Sequence, residues 1–157
     1  MQIGEEESNG FEFDLAGEIT PNWNILASYA YIDARITKTA SNSEKDFDMQ
    51  RPSTPRHSGN IWTKYIITEG PLKHLGFGAG YNFVTERYGQ VGRRANTTVY
   101  PGYGLVNTVL YYKINQIQFQ ANLNNILNKT HWVGGYDKLR SFPGAPRNIN
   151  VTVSYKF

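Results

Sequence analysis

The sequence predicts an all-β fold in which about seven antiparallel strands form a meander, as one portion of a transmembrane β-barrel. Two observations lead to this prediction. Apolar and polar residues alternate along successive segments of the chain, which is typical of strands with one apolar and one polar face. The connections between those segments are alternately short and long, as they are in outer-membrane barrels.

The composition favours strands and argues against several other classes of protein. The 157 residues suffice for one domain, and 11 Tyr, 8 Phe and 15 Gly form a β-rich set. There is no cysteine, so disulfides and thiolate metal sites are excluded. The net charge is only +3 and the basic residues form no run, so we expect no nucleic-acid partner. No apolar run is long enough for a transmembrane helix.

The first two strands form a predicted hairpin. Residues 8–20 alternate, with apolar side chains on one face and three carboxylates on the other. The Pro-Asn pair at 21–22 marks a tight turn. The second strand covers residues 23–37, and the polar stretch that follows, rich in Ser, Thr, Asp and Pro, predicts a long loop.

The next two strands are predicted at about 57–67 and 75–87, with the short connection 68–74 between them. The fourth strand alternates bulky side chains with glycine and asparagine. A second long loop follows in residues 89–99.

The last three strands complete the meander. The fifth spans about 102–112, and its facing is ambiguous because apolar residues occupy both sides. Residues 113–116 turn the chain into the sixth strand, which begins at Ile117 and alternates apolar residues with Gln and Asn. A third long loop occupies roughly 130–143, and the terminal strand covers 148–157.

The two faces of these strands fit two environments. The apolar faces either pack on a second sheet in a soluble sandwich or face lipid around a watery lumen. The loop rhythm and the aromatic residues at strand ends favour the membrane. Those aromatic residues are Trp23, Tyr88, Tyr112, Trp132 and Tyr155.

The alternation also assigns individual side chains to lipid or to the lumen. The residues predicted to face lipid are Phe77, Tyr81, Phe119, Leu123, Ile149, Val151, Val153 and Phe157. The residues predicted to face the lumen are Gly78, Asn82, Gln120, Asn122, Asn150 and Thr152.

Several segments together resemble the barrel of TonB-dependent siderophore receptors. The segment SNGFEFDLAGEITPNWNILASYAYIDARI resembles three features of the family. These are a G-x-E-x-x-L-x-G strand, a P-x-W turn and a tyrosine-rich return strand. The segment TPRHSGNIWTKY resembles the family's P-R-H entry to the next strand. The segments LGFGAGYNFVTERYG, PGYGLVNTVLYY and QANLNNILNKTHW resemble the later strands and follow in the family's order. The family's C-terminal strand is resembled by FPGAPRNINVTVSYKF. Within the family, the sequence resembles the ferrichrome and hydroxamate receptors most. The resemblance does not specify a single siderophore.

The resemblance implies a domain arrangement of which this chain is one part. Family members carry an N-terminal plug domain and a TonB-contacting segment before a barrel of about 22 strands, and we expect neither in this chain. We expect residues 1–157 to be the C-terminal segment of such a barrel, with two unpaired edge strands. Gly76, Gly78 and Gly80 are expected to leave room on the lumen side for the plug.

The implied function is TonB-dependent uptake of ferric siderophores across the bacterial outer membrane, with this chain supplying barrel wall and three external loops. The implied partners are a ferric siderophore, TonB (through the plug region), membrane lipid and the barrel assembly machinery. The last strand is similar to an assembly signal with aromatic residues at its third-last and last positions, Tyr155 and Phe157. A passive porin-like channel and a soluble β-sandwich binding module stay open as alternatives.

No enzyme is expected, because His57, His74 and His131 lie far apart and no carboxylate pair recurs with a His or Ser. No cofactor bound by the protein is expected either, since in this family the siderophore holds the metal. Aromatic residues of the outer mouth would pack the siderophore, and Arg would attract a negative ferric chelate. The candidate ligand contacts are Tyr88, Arg93, Arg94, Tyr100, Trp132, Tyr136 and Phe142. The competing interpretation is an interfacial aromatic girdle with solvated loop arginines.

Overall fold

Seven strands form one antiparallel meander. The computed structural model describes residues 4–39, 50–89, 98–135 and 139–157. The sheet contains, in spatial order, β1 (Gly4–Thr20), β2 (Trp23–Thr39), β3 (His57–Ile66), β4 (Leu75–Val84), β7 (Tyr103–Ile114), β8 (Ile117–Asn124) and β11 (Asn148–Tyr155). Two small hairpins lie in the connections: β5 (Arg87–Tyr88) with β6 (Val99–Tyr100), and β9 (Trp132–Gly135) with β10 (Ser141–Pro143). The predicted all-β meander is confirmed.

The two ends of the sheet differ in their connections. At one, the long-loop end, lie the strand ends joined by the long connections from β2 to β3, from β4 to β7 and from β8 to β11. The other, the short-turn end, carries residues 21–22, 67–74 and 115–116. This is the predicted alternation of short and long connections, and it places all three long loops on one side of the membrane in an outer-membrane barrel.

The strand bounds depart from the prediction mainly at the first strand. It begins at Gly4, not near residue 8, because the acidic start of the chain pairs with the end of β2. The Lys38 ammonium lies 2.7 Å from the Glu5 carboxylate, and the Arg51 guanidinium lies 3.1 Å from that of Glu6. The polar start is therefore part of a strand, and two of its carboxylates pair with cations, one on β2 and one in the first long loop.

The register confirms the predicted faces of the residues that lie in strands, whereas Phe157 follows β11 and its facing stays a prediction. Phe119 lies opposite Val153 and Gln120 opposite Thr152, so apolar and polar rows alternate together across β8 and β11. Directly paired residues share a face of a sheet, and a slip of one residue would exchange the faces. The apolar face contains Phe77, Tyr81, Phe119, Leu123, Ile149, Val151 and Val153. The polar face contains Gly78, Asn82, Gln120, Asn122, Asn150 and Thr152.

The apolar face is uncovered within the described residues. Phe77, Leu110, Ile149 and Val151 are each at least half exposed, and the strands form one layer. A sandwich would bury this face under a second sheet, so the structure does not support that alternative. In the described part of the chain, no helix has the length and apolar character to cross a bilayer.

Aromatic residues border the apolar face at both ends. Trp23 pairs with Tyr65 at the short-turn end, and the Trp23 indole donates to the Thr63 hydroxyl at 2.7 Å. Near the long-loop end Tyr29 and Tyr31 lie beside His57, and Tyr29 and His57 share a hydrogen bond of 2.7 Å. The six to eight residues from Trp23 to these tyrosines span roughly 20–26 Å of strand. An apolar band of a transmembrane barrel, about 25 Å tall between aromatic girdles, has this dimension.

The glycine row of β4 is partly filled by the sheet itself. A Cβ on Gly80 would overlap the Trp62 indole, and one on Gly78 would lie 2.9 Å from Val109 Cγ1. The neighbouring Lys64 ammonium lies 4.7 Å from the Tyr111 ring centroid. These glycines accommodate side chains of adjacent strands, which leaves less room for a plug than the sequence suggested.

Candidate ligand-binding loops

The β5–β6 hairpin has a buried and an exposed face. Arg87 pairs with Tyr100 and Tyr88 pairs with Val99. Arg87 and Tyr100 are only 4% and 3% exposed, whereas Val99 is 48% exposed. Since side chains alternate along a strand, the hairpin directs its first pair inward and its second pair outward.

Arg87 joins this hairpin to β9. Its guanidinium donates a hydrogen bond to the carbonyl oxygen of Trp132 and lies 5.3 Å from the centroid of the Tyr103 ring. A hydrogen bond from a charged donor is stronger than a neutral one, and the ring face attracts the cation. Both contacts compensate the charge of a guanidinium that is almost completely buried.

Tyr100 joins the same hairpin to β10. Its hydroxyl lies 3.0 Å from the Ser141 hydroxyl. Gly135 approaches the Tyr100 ring so closely that any Cβ there would overlap the phenolic oxygen. Because Gly135 pairs with Ser141, the tyrosine contacts both strands of the β9–β10 hairpin at one register position.

His131 is a buried support beneath the third loop. Its ring lies 4.5 Å from that of Tyr103, and its Nδ1 lies 3.1 Å from the Lys129 carbonyl oxygen. A carbonyl oxygen only accepts, so Nδ1 carries the hydrogen. The Gly144 amide donates to the His131 carbonyl at 2.9 Å, and a Cβ on Gly144 would overlap the imidazole.

Asn125 organises the base of the third loop. Its side-chain amide donates to the carbonyls of Lys129 and Ala145, and its Oδ1 accepts from the Lys129 amide at 2.8 Å. Its own backbone amide donates to Asn107 Oδ1 at 2.9 Å, and Asn107 donates to Asn82 at 3.0 Å. A chain of amides thus connects β4, β7 and the loop.

The first long loop is attached to the second. The Ser53 amide donates to the Tyr88 carbonyl at 2.7 Å, and the Arg51 amide donates to the Ala34 carbonyl of β2 at 2.8 Å. With the contacts of Arg87 and Tyr100, the described parts of all three long loops form one connected unit.

Four of the seven predicted ligand contacts lie in this unit. Trp132 and Phe142 are 38% and 49% exposed on the β9–β10 hairpin, and Tyr88 is partly exposed. Tyr100 is buried and serves loop packing. The remaining three, Arg93, Arg94 and Tyr136, lie outside the described residues.

The predicted assembly residues lie at the short-turn end. The Tyr155 hydroxyl donates to the Gln116 side chain at 2.9 Å, and the Phe157 ring packs edge-to-face on Tyr155 at 5.3 Å. Phe157 is fully exposed and follows the last strand residue.

Sequence reasoning missed the polar residues that organise the loops. Arg87 lies at the end of the predicted fourth strand and His131 in the predicted third loop, and neither position carries a local signal of the contacts that it makes. Asn125 carried a usable signal, since an Asn directly after an alternating strand is typical of the left-handed conformation it adopts. Within the described ranges, no three side chains of His, Asp or Glu are grouped to hold a metal ion.

Comparison with known proteins decides the family. Residues 1–126 match the family described as TonB dependent receptor-like, beta-barrel. The chain belongs to the TonB-dependent receptor β-barrel family. Members of this family are outer-membrane proteins, so the apolar face is the lipid face and the long-loop end is the extracellular end.

Three relatives are named as receptors for siderophores or for metal-pseudopaline. The probable TonB-dependent siderophore receptor PiuA of Acinetobacter baumannii is 32% identical over 99% of this chain and 21% of PiuA. The metal-pseudopaline receptor CntO of Pseudomonas aeruginosa is 29% identical over 98% of this chain and 21% of CntO. The catecholate siderophore receptor Fiu of Escherichia coli K12 is 30% identical over 99% of this chain and 20% of Fiu. This chain therefore spans about a fifth of the length of these relatives.

Solved structures agree with the fold. The crystal structure of PiuA matches with a TM-score of 0.81 over 98% of this chain and 22% of the PiuA chain. The closed form of Fiu matches with a TM-score of 0.82 and 26% identity over 99% of this chain and 22% of the Fiu chain. The predicted portion of a large receptor barrel is confirmed, and the relatives are receptors and not enzymes.

Proposed function

We propose that this chain is part of an outer-membrane receptor for TonB-dependent uptake of ferric siderophores. Within that receptor, residues 1–157 supply the C-terminal segment of the barrel wall and three external loops. The observation that carries the proposal is the family match over residues 1–126. The connected extracellular loops with exposed aromatic side chains support it, because chelate sites need rigidly placed apolar and polar groups.

The substrate class rests on what the relatives are named for. Fiu is named as a catecholate siderophore receptor and CntO as a metal-pseudopaline receptor, so the family serves more than one chelate chemistry. We propose a ferric siderophore of hydroxamate type as the first substrate to test. The iron arrives inside the chelate, and the protein needs only to recognise the chelate surface.

Uptake by the intact receptor tests the proposal. The full-length gene is expressed in a bacterium that lacks its own siderophore receptors, and entry of radioactive iron is measured from ferrioxamine B, a ferric tris-catecholate and ferric citrate. We expect uptake from ferrioxamine B, the hydroxamate chelate, lost when TonB is deleted, and uptake from one of the other chelates alone would contradict the hydroxamate class. Uptake that persists without TonB would support a passive channel instead, and no uptake of any chelate would contradict the proposed substrate class.

The partners follow from the same proposal. TonB would act through the plug region of the intact receptor, membrane lipid would cover the apolar face, and the assembly machinery would read the last strand. No nucleic acid is expected.

We propose that Phe157 acts as an assembly signal and contributes little to packing, because its ring is fully exposed. Replacing it with Ala in the intact receptor should lower the amount inserted in the outer membrane, measured by quantitative immunoblotting. Lys156→Gln, one residue away, is the control and should leave that amount unchanged. Equal membrane levels of the two variants would argue against an assembly role.

A further inference from the structure

One pair of buried side chains docks the two loop hairpins. Arg87 and Tyr100 are register partners across β5 and β6. Arg87 bonds to the main chain of β9 at Trp132, and Tyr100 bonds to Ser141 of β10. One cross-strand pair of the second loop therefore contacts both strands of the hairpin in the third loop.

The other cross-strand pair of the same hairpin faces outward. Tyr88 and Val99 lie on the opposite side from Arg87 and are far more exposed. Arg87, which fixes the hairpin, and Tyr88, the aromatic residue that the hairpin exposes, are thus adjacent in sequence and point to opposite sides. A shift of Arg87 would move Tyr88 with it.

We propose that Arg87 is a positioning residue for ligand binding. By holding β5 against β9, it fixes Tyr88 and Trp132 in one arrangement at the extracellular end. This inference rests on the proposed function, in which those exposed aromatic side chains contact a ferric chelate. Arg87 is too deeply buried to touch the chelate itself.

The contacts of Arg87 require a planar cation. Its guanidinium reaches the Trp132 carbonyl while lying over the Tyr103 ring, and within the described residues it forms no ion pair. A lysine keeps the charge but has no planar group that can stack and donate at once. Lysine at this position should therefore restore the contact only in part.

The first loop depends on the same residue through the main chain. The Ser53 amide bonds to the carbonyl oxygen of Tyr88, directly after Arg87. Loss of the Arg87 contacts therefore loosens the junction of all three loops and not only that of two hairpins.

The contacts by which Arg87 holds the β5–β6 hairpin against the β9–β10 hairpin are called the clamp. A distance measurement without chelate tests it. Spin labels are placed at Val99→Cys and Val133→Cys, two exposed positions on the hairpins that Arg87 joins, in full-length receptor with any other cysteines replaced by serine. We expect a narrow distribution of label distances in the parent protein, a broad one in Arg87→Gln and an intermediate one in Arg87→Lys. Arg147→Gln is the matched control, since it removes an exposed arginine of the third loop and should leave the distribution narrow. An unchanged distribution in Arg87→Gln would overturn the clamp.

Chelate binding tests the positioning role. Affinities for ferrioxamine B and a ferric tris-catecholate are measured on purified receptors of equal folded fraction. Arg87→Gln should weaken binding by about tenfold to a hundredfold, the ratio expected for loss of a hydrogen bond to a charged group, and Arg147→Gln should not. Unchanged affinity in Arg87→Gln despite a broadened distance distribution would overturn the positioning role. If the parent receptor binds neither chelate, the proposed function fails, and a broadened distribution still supports the clamp.

Discussion

Asn125 offers the sharpest test of how the third loop is held. Its side chain is 3% exposed and makes three hydrogen bonds within the loop, two to Lys129 and one to Ala145. Its φ of 49° lies in the left-handed region, which Asn tolerates better than most residues with a Cβ. Replacement by Gly removes the three hydrogen bonds, and replacement by Ala removes them and adds backbone strain.

The size of the effect follows from these contacts. Three hydrogen bonds at about 0.5–1.5 kcal/mol each suggest a loss of roughly 1.5–4.5 kcal/mol for Asn125→Gly. Asn125→Ala should cost about 1 kcal/mol more, because alanine pays the steric penalty of the left-handed region. The two variants therefore separate the side-chain bonds from the backbone conformation.

Hydrogen exchange measures this local stability in the intact receptor. The suitable probes are the amides of Gly144 and Arg147, which bond to His131 and Asn128 and not to Asn125 itself. If the loop opens as a unit, their exchange should accelerate by roughly ten- to a thousandfold in Asn125→Gly, at tenfold per 1.4 kcal/mol.

Asn115 supplies the control at the opposite end of the sheet. It has a φ of 52° in the turn between β7 and β8, and its side chain makes no hydrogen bond within the described residues. Asn115→Ala should carry the strain alone, without changing exchange in residues 139–147. The reasoning fails if the Gly144 and Arg147 amides exchange at the parent rate in Asn125→Gly.

Two further substitutions test the sheet. Ala121→Arg places a charge near the middle of the lipid face and should destabilise the intact receptor by about 2–4 kcal/mol in urea unfolding from lipid vesicles. Asn122→Arg, on the polar face, is the control and should be nearly neutral. Equal effects of the two substitutions would mean that the faces are assigned wrongly. Gly80→Ala forces a Cβ into the Trp62 indole and should cost about 1–3 kcal/mol by the same measurement, while Gly17→Ala, which meets no atom within 4 Å, is the control and should cost little.

The sheet could be predicted from the sequence because each strand carries its own signal. Along β8 every second residue is Gln or Asn, and a slip of one residue would move that row to the face opposite the polar row of β11. The facing of β7 could not be predicted in this way. Its apolar residues lie on both faces, since Val109 packs over Gly78 on the polar face while Leu110 faces lipid. The facing of these residues depends on glycines in the neighbouring strand β4, which the sequence of β7 alone does not show.

The loop hairpins were missed for a related reason. Strands as short as β5 and β6 cannot show a period, and their stability comes from partners far along the chain, such as Arg87 with Trp132. The same holds for the glycines. Gly135 and Gly144 stand in stretches typical of flexible turns, yet each is a site of close packing, against Tyr100 and His131.

The loops are therefore held in place by buried polar groups and close glycine contacts, whereas the sheet depends on the alternation of apolar and polar residues. This division has a consequence for function. Substitutions at exposed loop positions such as Val99 and Val133 would alter the surface that we propose binds a chelate, without removing the contacts beneath it. Substitutions at Arg87 or Asn125 act on the support of that surface, because the partly buried carbonyl groups that lose their donor cost more than a lost surface contact. If the proposed function holds, an exchange of exposed side chains over an unchanged buried base would alter the ligand preference of this receptor.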